Sequence, residues 1–173
     1  LDPILRSVGV SRSRADNRIY CDTIDGSVTR IALYVDDLLI SSCNLEAIKK
    51  VKNLLSANFE MKDLGEVQCV LGLQVAYDRE SRVMKVSQSN AIGRILERFG
   101  MAKCKPVATP MEKFRDVTDE GECPVSSTEY RSAIGSLMYI MMGTRPDLSY
   151  ALGYWSQFLE NHSEQHWKGV KRI

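Results

Sequence analysis

Ile31-Ala32-Leu33-Tyr34-Val35-Asp36-Asp37-Leu38-Leu39-Ile40-Ser41 decides the fold. Two apolar runs press on a pair of adjacent carboxylates, and each run has the β-branched and aliphatic content of a strand. Side chains alternate between faces along a strand, so neighbouring aspartates cannot both serve one buried face. In a tight turn between strands, both can project from the tip. The stretch therefore predicts a hairpin with Asp36 and Asp37 at its end. A second hairpin leads into it: Asp25-Gly26 is a strong two-residue turn signal between a strand over 17–23 and one over 27–35.

Working outward, Asn44 can cap a helix whose apolar positions Leu45, Ile48, Val51, Leu54, Leu55 and Phe59 keep the i, i+3, i+4 spacing. Residues 61–66 form a connector. Strands are expected over 69–77 and 82–87 around a turn at 78–81, then a helix over 89–99 stopped by Gly100. The proline-punctuated stretch 105–125 is either a surface loop or a linker. Ser126 or Ser127 caps a helix over 130–142, with Glu129 near a capping box. Arg145-Pro146-Asp147 begins another, over 148–159, and a last one starts at His166. At the other end, 1–8 has one-sided helical spacing and 11–14 reads as a connector. Strands with one helix, then helices alone, predict an α+β chain: antiparallel β-hairpins with a helix, followed by an all-helical part. The division is expected at 1–88 and 89–173.

Composition narrows the class without naming a function. The 173 residues are 44% hydrophobic and 26% charged, the balance of a folding chain rather than a disordered one. Net charge is +1, so any basic surface must be local. Apolar runs fall far short of the ~20 residues that cross a bilayer, and Leu1-Asp2-Pro3 lacks the features of a signal peptide. Five widely spaced cysteines without a CxxC pair argue against a disulfide framework or zinc knuckle. The sequence begins without Met and stops inside a helical pattern, which predicts a segment of something longer with an incomplete site.

Two carboxylates at one tip repel each other, and a divalent ion relieves that repulsion. Oxygen donors select Mg²⁺ or Mn²⁺, ions that keep positions open for phosphate oxygens and serve phosphoryl transfer. Other candidates are weaker. His162 and His166 are spaced i, i+4 but lack the glutamate of a zinc hydrolase motif and a third ligand, so both read as structural. Ser136 has no nucleophile elbow around it. Met138, Met141 and Met142 with Tyr139 read as helix core, and Trp155 and Trp167 as helical packing.

Tyr34-Val35-Asp36-Asp37 resembles the YVDD box of reverse transcriptases. Its flank 33–40, then 59–65 and 71–75, resemble copia-type retrotransposon polyproteins. So do Ser87-Gln88, Phe99-Gly100-Met101, Thr109-Pro110, the run 130–139, the run 144–148 and His166-Trp167. The matches run in order along nearly the whole chain.

By that resemblance, 1–88 is part of the palm and 89–173 a helical, thumb-like region cut short at its end. Asp36 and Asp37 are the catalytic, metal-holding carboxylates, with Mg²⁺ or Mn²⁺ as cofactor; Val35 lies under the primer terminus, and Tyr34 beside it binds nucleic acid. The hairpin over 71–86, opening with Leu71-Gly72, resembles the primer grip. Lys62 stands where related polymerases place a lysine that protonates leaving pyrophosphate; its rival role is a solvated surface lysine. Arg94 and Arg98, with Lys103 and Lys105, form a cluster that is either a contact for a template–primer backbone, read through phosphates and duplex shape, or a solvated helix face. Ala91 replaces an aromatic residue common in the family. The implied partners are an RNA or DNA template with primer, a dNTP, and the rest of a polyprotein: upstream fingers and palm, and downstream RNase H. No membrane is implied, and the compartment is a cytoplasmic virus-like particle. A further metal-binding Asp and the fingers are missing, so the isolated chain is expected not to polymerise. The alternative is a decayed or co-opted remnant that binds nucleic acid without catalysis.

Overall fold

Strand pairing is antiparallel throughout. The computed structural model describes residues 2–7, 9–112 and 124–173. The chain divides into two compact units, Leu1–Val67 and Gln68–Ile173.

The first unit is a four-stranded sheet, β1 (Ser11–Arg12), β2 (Ile19–Ile24), β3 (Ser27–Tyr34) and β4 (Asp37–Ser42), in sequential order. Helices α1 (Asp2–Ser7) and α2 (Leu45–Asn58) complete it. Asp25 and Gly26 both take positive φ, 48° and 75°, the requirement of a type I′ turn. Alternation then sorts the faces. Tyr20, Ile24 and Ile31 point inward with Leu5, Val10, Ala47, Val51 and Leu55, while Leu38 and Ile40 pack at the margin. Thr29 is buried but satisfied, its hydroxyl 3.1 Å from Ser42 Oγ on the paired strand.

Two expectations change here. Residues 11–12 are a short edge strand rather than connector, held by the pairs Ser11↔Cys21 and Arg12↔Tyr20. The buried ridge of α2 is Ala47, Val51 and Leu55, whereas Leu45 is 63% exposed at the helix entrance. Asn44 caps the helix as expected, accepting from the Glu46 amide at 2.9 Å.

The second unit opens with a three-stranded sheet, β5 (Cys69–Val70), β6 (Leu73–Asp78) and β7 (Val83–Ser87). The strand expected over 69–77 is therefore broken. Leu71 and Gly72 both take positive φ, 53° and 76°, and reverse the chain so that Val70 pairs with Leu73. The turn at 78–81 forms as expected: Asp78 Oδ1 accepts from the amides of Glu80 and Ser81.

Helices α3 (Ser89–Arg98), α4 (Ser127–Gly143), α5 (Ser149–Trp155) and α6 (Glu164–Arg172) follow, with 3₁₀ turns at Pro146–Leu148 and Ser156–Phe158. Ser126 caps α4 by accepting from the Glu129 amide at 3.2 Å. The core joins Tyr130, Ala133, Ile134, Leu148, Leu152, Trp155, Trp167 and Val170. Tyr130 donates its buried hydroxyl to the Trp155 carbonyl at 3.0 Å. At Gly169 a β-carbon would stand 2.2 Å from the Trp155 ring, so only glycine lets α6 approach. The α+β class holds; of 105–125, residues 113–123 lie outside the described residues. Cys21, Cys43, Cys69 and Cys104 are free thiols, and Cys123 lies outside the described residues.

Candidate functional site

The β3–β4 ladder runs Ile31↔Ile40, Leu33↔Leu38 and Tyr34↔Asp37, leaving Val35 and Asp36 as a two-residue loop. Apolar pairs along both strands hold the ladder to its last rung and so fix the tip. Val35 takes φ 52°, a left-handed conformation that costs an L-residue roughly 1–2 kcal/mol and is uncommon for a β-branched one. Its side chain is 77% exposed, so burial returns nothing to offset that cost at this position. Strain of this kind persists only where the surrounding structure over-determines it.

Asp36 sits in the loop and Asp37 opens β4, both exposed. Among the described residues neither carboxylate has a hydrogen bond or an ion pair. The sequence thus brings Tyr34, Val35, Asp36 and Asp37 together at one tip, with no described residue paired to either acidic group. Such a donor set fits a small hard cation, which is commonly held by one or two carboxylates and completed by water or phosphate oxygens. Among the described residues no group of three or more His, Cys, Asp or Glu is arranged to hold a metal.

Lys62 lies exposed in the extended segment after α2, and no hydrogen bond or ion pair joins it to Asp36 or Asp37. Its neighbour Asp63 is engaged instead. Lys52 Nζ lies 2.9 Å from both oxygens of Asp63, and this, with the Gly65 amide, holds the carboxyl below the ordinary aspartate range.

In the second unit Arg94 and Arg98, one helical turn apart on α3, line an open groove of about 520 Å³ against α4. Ala91, Ile95 and Gly135 also line it, with Ser132, Ser136 and Tyr139. Ala91 is 5% exposed. Arg98 lies 5.4 Å over the Phe99 ring. Lys103 and Lys105 are exposed beyond α3 and do not line the groove.

Leu71 and Gly72 form the β5–β6 turn, and Tyr139 Oη donates to the Leu71 carbonyl at 2.8 Å. Tyr139 is 44% exposed, which overturns its reading as helix core, as does Met142 at 83%. Met138 and Met141 do pack against the core. The run from Leu137 to Met142 is apolar without a break, so periodicity gives no phase and the sequence conceals which side faces water. Gln88 is 1% exposed, and the sequence offers no signal for that burial beyond its place in the Ser87-Gln88 pair.

The histidines are structural. His162 stacks on Tyr130 with centroids 4.4 Å apart, and His166 Nδ1 accepts from the Ser163 amide at 2.8 Å in a capping box. Ser136 Oγ donates to the Ser132 carbonyl within its helix. Among the described residues no helix is long and apolar enough to cross a membrane.

Comparison with known proteins gives a consistent picture. The family profile described as reverse transcriptase (RNA-dependent DNA polymerase) matches residues 1–113. The chain is 39% identical to the Retrovirus-related Pol polyprotein from transposon TNT 1-94 of Nicotiana tabacum, over 99% of this chain and 14% of that protein. It is 33% identical to the Retrovirus-related Pol polyprotein from transposon RE2 of Arabidopsis thaliana, over 98% of this chain and 12% of that one. An uncharacterized mitochondrial protein of Arabidopsis thaliana, AtMg00810, is 33% identical over 83% of this chain and 58% of its own length. No solved structure matches the chain.

Proposed function

The chain belongs to the reverse transcriptase (RNA-dependent DNA polymerase) family, and from that premise we propose that it carries the carboxylate hairpin and nucleic-acid contacts of a copia-type polymerase. Residues 1–88 serve as the rear of the palm and 89–173 as a thumb-like region. The reaction is transfer of a nucleotide to a primer 3′-hydroxyl with release of pyrophosphate. The observation that carries this reading is the strained, rigidly paired tip with two exposed carboxylates that, among the described residues, have no hydrogen bond or ion pair.

Asp36 and Asp37 hold Mg²⁺ or Mn²⁺ there. When bound, the cation supplies positive charge against developing negative charge on phosphate oxygens. Val35 and Tyr34 present a half-apolar floor for the primer terminus. The Leu71–Gly72 turn seats the primer end, a proximity contribution of roughly 7–11 kcal/mol in well-oriented systems. Arg94 and Arg98 take phosphates of the template–primer without regard to sequence. Lys62, exposed and without an ion pair among the described residues, enters as a candidate proton donor to pyrophosphate; a Lys62→Ala polymerase with full single-turnover rate removes it from the mechanism.

The chain spans about one-seventh of the tobacco polyprotein's length, so its partners in this reading are the other parts of a polyprotein: fingers and further palm upstream, RNase H downstream. Template, primer and dNTP complete the set, and copying takes place in cytoplasmic virus-like particles. By itself the chain does not extend a primer.

Mn²⁺ is the probe for the carboxylates. With template–primer and dNTP present, Mn²⁺ should selectively broaden the NMR signals of residues 34–38, and Asp36→Asn with Asp37→Asn should abolish the effect. Absence of selective broadening in the native chain sinks the catalytic reading. A second reading, a co-opted or decayed nucleic-acid-binding remnant, is favoured by the match to more than half of a short relative. Duplex binding that persists without any Mn²⁺ effect would select it.

A further inference from the structure

Tyr139 belongs to two features at once. Its side chain lines the groove carrying Arg94 and Arg98, and its hydroxyl bonds the carbonyl of Leu71 in the β5–β6 turn. That turn is poorly held by its own strands, because β5 contributes only the pairs Cys69↔Gln74 and Val70↔Leu73. A ribbon so short is marginal in water, and what fastens it from outside decides where its tip points.

The fastening is specific. Gly72 admits the tyrosine, since a β-carbon there would stand 2.1 Å from Tyr139 Oη. Tyr139 is itself anchored: its carbonyl accepts from Gln88 Nε2 at 3.3 Å, and Gln88 Oε1 accepts from Thr144 Oγ1 at 2.8 Å. Gln88 is buried between β7 and α3, and a β-carbon on Gly143 would fall 2.5 Å from its oxygen. On α3 itself, the Asn90 amide donates to Gln74 Oε1 of β6 at 3.2 Å. Turn and groove wall are thus tied through Tyr139 to Gln88, the residue that precedes the helix bearing both arginines, and that helix is tied separately to β6.

We propose that Tyr139 is a positioning residue for the end of a bound nucleic-acid strand: it holds the Leu71–Gly72 turn at the groove, so that a strand whose phosphates lie on Arg94 and Arg98 meets the turn at its terminus. The inference rests on the nucleic-acid reading of the groove and adds a residue that touches the turn rather than the chemistry.

The test uses two template–primer duplexes, one with 2-aminopurine at the primer 3′ end and one with it several pairs inward. At protein concentrations that saturate each duplex, the native chain should change the fluorescence of both probes. Tyr139→Phe keeps the ring and removes one neutral hydrogen bond. It should cut the terminal change roughly fivefold while the internal change persists. Gly72→Ala, whose methyl would occupy the hydroxyl's place, should give the same terminal-only loss and decides the matter should Tyr139→Phe fail to fold. Equal loss at both probes, or an undiminished terminal change, overturns the role of Tyr139 and leaves groove binding standing. A native chain that perturbs neither probe overturns the nucleic-acid reading and this inference together.

Discussion

Asp147 shows how much of this chain's surface chemistry is local. Arg145 places Nε and Nη2 within 2.7–3.2 Å of the Asp147 carboxylate across one intervening proline, a bidentate pairing at the entrance of α5. The hydrogen bonds from Arg145 hold the Asp147 carboxyl below the ordinary aspartate range. The folded chain therefore keeps this group ionised where the unfolded chain takes up a proton. Its stabilisation is full above the unfolded value of about 4 and is lost as pH falls through the lower folded value. Asp147→Asn should make the acid limb of the stability–pH curve shallower; chemical denaturation from pH 5 to pH 2 measures it, and an unchanged slope contradicts the pairing. The contrast with Asp36 and Asp37 is the point at this scale. Asp63, Asp78 and Asp147 all have donors, whereas the two carboxylates at the hairpin tip have none among the described residues.

Among the elements, the hairpins were legible where a turn residue announced itself and illegible where it did not. Asp25-Gly26 is a known type I′ pair, and the chain turns there. Leu71 carries no such signal, because a leucine at φ 53° is tolerated only through the company it keeps: Gly72 beside it and Tyr139 above it. The two-residue strand at Ser11–Arg12 is likewise set by its partner strand rather than by its own pattern. In α2 the spacing correctly gave an amphipathic helix, yet the buried ridge passes through Ala47, whose small side chain carried no weight in the reading. Of the site, the YVDD tip was readable because composition and spacing coincide in consecutive residues. Gln88 and Tyr139 were not, since their roles depend on contacts 51 and 68 positions away in sequence. Ile31 tests the sheet directly. It is fully buried and paired with Tyr20 and Ile40. Ile31→Ala should cost about 2–5 kcal/mol, measured by denaturant unfolding, and a loss below 1 kcal/mol would mean the site collapses around the missing atoms.

For the molecule as a whole, the two hydrophobic clusters share no member: one is built on the four-stranded sheet, the other on α4, α5 and α6. Loss of Ile31 thus falls on a core that Tyr130 and Trp155 do not help to build. The α+β class followed from the order of elements along the chain, strands first and helices after, which is a property composition alone does not carry. Palm and thumb, by contrast, are names for jobs. They enter through family membership and are tested by Mn²⁺ and duplex binding rather than by pairing registers.

The contact at Gly169 reaches into the chain's history. With an indole ring parked against that α-carbon, nineteen of the twenty amino acids are shut out of position 169 for as long as tryptophan stays at 155. Drift must begin at 155, and a lineage that trims the indole first is the only one free to put a methyl opposite it.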